Sequence, residues 1–119
     1  MTNEKVFRSA AGLAGGVGAS GEGHCGALSG SVMILGQIFG REYERFKSGI
    51  GPSEKMEELA DRMVEKFFKE YDSVICKDIQ CAVMGRSFDF KDEEDMKKFE
   101  EAGGHSEKCP EVVGKTARW

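Results

Sequence analysis

Long apolar runs are missing from this chain. The best of them, Ala27–Phe39, is interrupted by Ser29, Gly30, Ser31, Gly36 and Gln37. It falls well short of the roughly 20 apolar residues that a membrane helix needs. The first residues, MTNEKVF, are polar and hold no apolar stretch of the kind found in secretory leaders. These two shortages set the expectation of a cytoplasmic protein with no membrane partner. Positive charge is also scarce. Against 21 Asp and Glu stand 17 Lys and Arg, for a net charge of -4. Lys66, Lys69, Lys97 and Lys98 sit among acids rather than in a patch, so nucleic acid is not an expected partner.

Several catalytic signatures are lacking as well. There are only two histidines, His24 and His105, and neither belongs to a His-Glu-x-x-His or Cys-x-x-Cys-His motif. No nucleophile elbow accompanies them, and the carboxylates lie on presumptive helix faces rather than in pairs. No catalytic residue is therefore assigned. No repeat is visible, and no alternation of apolar and polar residues speaks for strands. The expectation is all-α, as one domain over residues 1–119, a small bundle of about four to five helices.

What the chain does hold is glycine and cysteine. Five of the nine residues from Gly15 to Gly23 are glycine. Such a run costs backbone entropy to fix, so it reads either as a mobile loop or as backbone that must pass close to something. Gly16-x-Gly18-x-x-Gly21 spells a dinucleotide fingerprint, but no strand precedes it and no βαβ context follows. After this glycine-rich loop at 15–24, Gly26–Phe39 reads as a helix that is apolar around nearly its whole circumference. It is expected to be central and buried, with Gly40 as its stop. So apolar a helix has few neighbours in one short chain, which points to pairing of two copies.

Ser53 is the expected N-cap of the clearest amphipathic helix, Glu54–Tyr71, whose apolar set runs from Met56 to Tyr71 at spacings of three and four. Residues 73–84 read as a short helix or an irregular packed segment. Asp89 is the expected cap of a helix over roughly 91–102, and Cys109-Pro110 opens the last segment, with Pro110 suited to a first helical position.

The four cysteines are Cys25, Cys76, Cys81 and Cys109. In a cytosolic protein they point away from structural disulfides and toward metal binding, thiol redox work or inert burial. Cys25 and Cys109 each stand just before a predicted helix, where free amides would stabilise a thiolate and lower its pKa. Cys76 and Cys81 would lie about 140° apart around one regular helix. They could share a metal only if that helix ended or broke between them. Four thiolates can hold a [2Fe–2S] cluster or a structural zinc. His24, beside Cys25, and His105, four residues before Cys109, could replace a thiolate or hydrogen-bond to one.

The stretch GGVGASGEGHCGALSGSVMILGQIFG, with Cys25-Gly26-Ala27-Leu28-Ser29-Gly30 at its centre, resembles the C_GCAxxG_C_C family of redox-active proteins. Related sequences form a domain in split-Soret cytochromes. Cys76 matches the next family cysteine, and Cys109, followed by Pro110, matches the last. The likeness covers about residues 8–115. Departures are His24 in place of a glycine, Gly26 in place of an alanine, and Gly30 one place late. Family members carry a further cysteine in an N-terminal helix. No cysteine precedes Cys25 here, so Cys81 is expected to supply the fourth thiolate.

The resemblance implies a helical fold and a redox role. The split-Soret relatives pair haems with an iron–sulfur centre, which implies a [2Fe–2S] site; their haem motif is absent. The resulting expectation is one-electron transfer to another redox protein, through a cluster held by Cys25, Cys76, Cys81 and Cys109. Gly16, Val17, Gly18, His24, Gly26 and His105 would surround it. The loop amides would approach the sulfurs, and Val17 and the helix after Cys25 would exclude water. The alternatives are a thiol–disulfide oxidoreductase or sensor using Cys25 with Cys76 or Cys109, and a non-catalytic domain with structural zinc.

Overall fold

The computed structural model describes residues 3–119, so Met1 and Thr2, which open the polar MTNEKVF segment, lie outside the described residues. Seven α-helices follow in order among those described. They are α1 (Glu4–Ser9), α2 (Gly26–Phe39), α3 (Tyr43–Lys47), α4 (Glu54–Tyr71), α5 (Cys76–Met84), α6 (Glu93–Glu101) and α7 (Cys109–Arg118). A 3-10 turn at Ala11–Leu13 and a π-helical turn at Gly104–Lys108 complete the list. The class is all-α, as expected, but the helix count of four to five is too low. The additional helices α1 and α3 have only 6 and 5 residues. A helix that short shows less than two turns of apolar periodicity, so the pattern over residues 4–14 and 41–51 marks it only weakly.

Ends were set by local chemistry. Ser53 caps α4, accepting from the Met56 amide at 3.3 Å. At α6 the cap is Asp92, accepting from the Glu94 amide at 2.9 Å, rather than the expected Asp89. Asp89 instead accepts from the Lys91 amide at 2.9 Å and holds the turn before the helix. Gly40 stops α2 without a left-handed backbone (φ -68°, ψ 159°). Glycine is needed there for a different reason: a Cβ would stand 2.2 Å from the Gly36 carbonyl oxygen.

The core is small. Leu28 of α2, Met63, Phe67 and Tyr71 of α4, Ile79 of α5 and Val112 of α7 form it, with Trp119 set edge-on to Phe67 at 5.4 Å between centroids. A second aromatic group joins Phe88, Phe90 and Phe99, with centroids 5.5 and 4.9 Å from Phe99. Helix α2 lies on α4 and α7. Contrary to its sequence pattern it is not buried: only Leu28 is, while Ile34 and Ile38 are exposed. Two neighbours cannot cover a helix that is apolar on every side. No helix among the described residues is long and apolar enough to cross a membrane.

Candidate functional site

The glycine loop is the device that assembles the site. Gly15, Gly16, Val17, Gly18, Ala19 and Gly21 all take positive φ, from 56° to 73°. This chirality is available to glycine at little cost and is disfavoured for Val17 and Ala19. The coil turns back on itself through the Gly23 amide, which donates to the Gly16 carbonyl at 2.8 Å. It then runs along the start of α5. The Cys76 amide donates to the Gly23 carbonyl at 2.9 Å and the Lys77 amide to the Gly21 carbonyl at 3.0 Å. The Cys25 amide donates to the Val74 carbonyl at 2.8 Å, and His24 and Ile75 form an isolated antiparallel bridge. An exposed ion pair, Lys77 to Glu22 at 2.8 Å, ties loop and helix further.

Two amides that open α5 are thus satisfied by loop carbonyls. The loop's closest approach is at Gly16, which is buried; a Cβ there would lie 2.6 Å from Cys76 Cβ. Gly16 is therefore what lets Cys76 sit against the loop.

Cys25 precedes α2, Cys76 opens α5 and Cys109 opens α7. All three line one cavity of about 250 Å³. Gly15, Ile79, Phe90, Phe99 and Val112 make most of its remaining wall apolar. Each thiol is partly buried, and all are unbridged.

The ionisation of Cys25 and Cys109 departs from the expectation of lowered pKa values. Burial pushes the Cys25 thiol up, against the Ala27 and Leu28 amides that pull it down. Cys109 is pushed up by burial and by the neighbouring Cys25. Cys76 is pushed up to about 11, by burial first, then by Cys25 and Cys109, with a hydrogen bond from Gln80 pulling the other way. The correction has a physical cause. At Cys109, Pro110 has no N–H and the Cys109 amide is spent on Gly104 in the π turn, while at Cys25 the Ala27 and Leu28 amides do not offset burial. Removal of water then dominates.

The other expected residues are placed as follows. Cys81 is exposed and does not line the cavity. Helix α5 runs unbroken through both Cys76 and Cys81, so the break that would bring the two sulfurs together is absent. Val17 is 49% exposed and lies off the cavity wall, so it does not exclude water. Gly18 faces open space. His24 is exposed and serves the bridge to Ile75. Gly26 lines the cavity at its edge. His105 also lines it, its ring edge-on to Phe99 at 5.0 Å and its Nδ1 paired with Glu100 Oε1.

Sequence reasoning missed Gln80, which is buried and reaches Cys76 Sγ from one turn along α5. Its signal was available: a glutamine four residues after a cysteine in an otherwise apolar helix face. Gly15, Phe90 and Phe99 carried no such signal, because only the tertiary fold brings them to the sulfurs.

Among the described residues, no group of three or more His, Cys, Asp or Glu side chains is placed so as to hold a metal ion. The four-cysteine ligand set is not gathered: three thiols share the cavity and the fourth stands outside it.

A helical domain that brings cysteines from the starts of three separate helices to one apolar cavity belongs to the class of cysteine-centred domains. The family model described as "Putative redox-active protein (C_GCAxxG_C_C)" matches residues 1–119, and the chain belongs to that family. No significant match was found among curated proteins or solved structures.

Proposed function

We propose that this chain is a thiol–disulfide redox protein whose working unit is Cys25 with Cys76 or Cys109. The observation that carries this reading is the shared cavity: three cysteines from three helices line it, and Cys25 perturbs the ionisation of both others. Oxidation joins the Cys25 sulfur to one of its two neighbours, with loss of two protons and two electrons. A disulfide of a partner redox protein takes those electrons and is left as two thiols. The high pKa values keep the reduced form protonated at neutral pH, so the exchange is slow until a thiol is deprotonated. Gln80 Nε2, 3.5 Å from Cys76 Sγ, favours the thiolate of that residue.

A second reading keeps the [2Fe–2S] expectation. The apolar wall, which keeps water from the sulfurs, and the Gln80 N–H on Cys76 favour it, since both features tune cluster potentials. The donors in place do not fit a four-cysteine cluster, and Cys81 is on another face.

Mass spectrometry of protein treated with oxidised and then reduced glutathione, with metal analysis on the same anaerobic preparation, tests both. The thiol reading expects a reversible disulfide that includes Cys25, lost in Cys25→Ser and kept in Cys81→Ser, with no stoichiometric iron. Stoichiometric iron with visible absorption, lost on Cys25→Ser, would replace it with the cluster reading.

A further inference from the structure

Burial keeps the three cavity thiols protonated near neutral pH. Exchange needs a thiolate, so a proton acceptor has to stand within reach. The cavity wall offers one. Apart from the cysteines, its lining is glycine, alanine, larger apolar side chains, Gln80 and His105. No carboxylate and no amine lines it. Of these side chains, only an imidazole takes up a proton close to neutrality.

His105 is held in place by its surroundings. It belongs to the π-helical turn Gly104–Lys108 that leads into α7, and π turns are frequent at functional sites. The Glu107 and Lys108 amides both donate to the Gly103 carbonyl, at 2.9 and 2.8 Å. Gly104 is buried, and a Cβ there would run into the Phe99 ring, so only glycine lets this turn close down on α6. The next residue, His105, sets its ring edge-on to Phe99 and pairs its Nδ1 with Glu100 Oε1 of α6. A carboxylate on Nδ1 fixes the neutral ring as the Nδ1–H tautomer and leaves the lone pair on Nε2. It also stabilises the imidazolium that forms when Nε2 takes a proton. Cys109 follows four residues later, about one turn on, and lines the same cavity. Of the other elements packed on this turn, α5 brings Cys76 to the cavity, and Glu107 and Lys108 are the further charged residues of the turn itself. The His105 side chain is 64% exposed, so a proton drawn from inside can pass to water.

We propose that the Glu100–His105 dyad is the general base of the thiol chemistry and that Cys109 is the thiol it activates. This rests on the thiol reading above. His105 Nε2 takes the Cys109 proton, and the thiolate attacks one sulfur of the partner protein's disulfide. That S–S bond breaks, a mixed disulfide to Cys109 forms, and the other partner sulfur leaves as a thiolate. The Cys25 thiol gives its proton to that sulfur and attacks Cys109 Sγ. A Cys25–Cys109 disulfide results, and the second partner sulfur leaves and takes the proton held by His105. Two protons and two electrons have then passed to the partner.

Alkylation of the reduced chain by iodoacetamide, read residue by residue by mass spectrometry from about pH 5 to 10, tests the base without requiring any disulfide. Cys109 should react at a plateau rate on the neutral side, before the alkaline rise that thiol ionisation produces. His105→Ala should lose the plateau, with a rate about 100-fold lower near pH 7. It should rejoin the parent in alkali, where hydroxide ionises the thiol directly. Free imidazole should restore part of the lost rate, and Glu100→Gln should fall between parent and His105→Ala. An unchanged profile in His105→Ala and His105→Gln, or a slowing equal at every pH, overturns the proposal. So does a plateau at Cys25 or Cys76 with none at Cys109. A His105-dependent plateau in a chain that forms no reversible disulfide upholds the dyad and removes only the disulfide reading; a reversible disulfide with no plateau does the reverse.

Discussion

Gln80 spans two structures at once: its Nε2 donates to Cys76 Sγ at 3.5 Å, and its Oε1 accepts from the Phe88 amide at 2.9 Å. The side chain is almost fully buried, so both bonds are made away from water. Through Gln80 the cysteine cavity is joined to the aromatic group of Phe88, Phe90 and Phe99.

Gln80→Leu should therefore act on stability and on ionisation together. The Phe88 amide loses a buried acceptor, at a cost of about 1–3 kcal/mol. Cys76 loses the one contact that lowers its pKa, so its thiol titrates higher still. Urea unfolding measures the first effect, and the pH profile of Cys76 alkylation the second.

Stability should decline in alkali. The Cys76 thiol rises from an ordinary 9.0 to about 11 in the fold. Between those values the folded protein keeps a proton that the unfolded chain has lost, so unfolding releases protons and is favoured as pH rises. The contribution is full below pH 9 and gone above about 11. For this half-exposed group it amounts to about 1–2 kcal/mol after allowance for solvent screening. Cys25 and Cys109 act in the same direction. Unfolding midpoints followed from pH 8 to 11 check this, and Cys76→Ala should flatten the slope.

Gly16→Ala and Gly18→Ala separate contact from backbone strain. Both positions have positive φ, 72° and 62°. At Gly16 a Cβ meets Cys76 Cβ at 2.6 Å, whereas at Gly18 it meets nothing within 4 Å. The first variant should lose about 2–4 kcal/mol and loosen the cavity. The second should lose only the left-handed penalty, about 1–2 kcal/mol. Equal losses in urea unfolding would show that the Cys76 contact contributes nothing.

Tyr71→Phe should not destabilise the fold. Among the described residues, the Tyr71 hydroxyl is buried without a hydrogen-bond partner. The ring, packed on Phe67 at 5.5 Å and on Trp119 at 6.5 Å, is kept by the substitution. Removing an unpaired buried hydroxyl is expected to gain about 1 kcal/mol. A loss of similar size in thermal or urea unfolding would mean the hydroxyl has a partner in solution.

The legible parts of this protein were those decided within one or two helical turns. The spacing from Met56 to Tyr71 marked α4, and Ser53 marked its start, because capping and amphipathic burial act over neighbouring residues. The ends of α2 were legible for the same reason. The cap of α6 moved from Asp89 to Asp92, since several acids in a row can each serve that role. At the site, the four cysteines were legible as candidates, but neither which of them share the cavity nor their ionisation was. The places of Cys25 and Cys109 before their helices suggest lowered pKa values, yet burial pushes both thiols up.

From sequence alone came the helical class, the principal helices, the glycine run and the family likeness. Tertiary structure alone decided that Cys25, Cys76 and Cys109 line one cavity, that Cys81 stays outside it, and that Gly15 and Gly16 rather than Val17 and Gly18 meet the sulfur side. It also left α2 half bare. Helices form from forces local to the chain, whereas burial depends on which distant surfaces arrive, and no spacing in the sequence encodes how much water each sulfur loses.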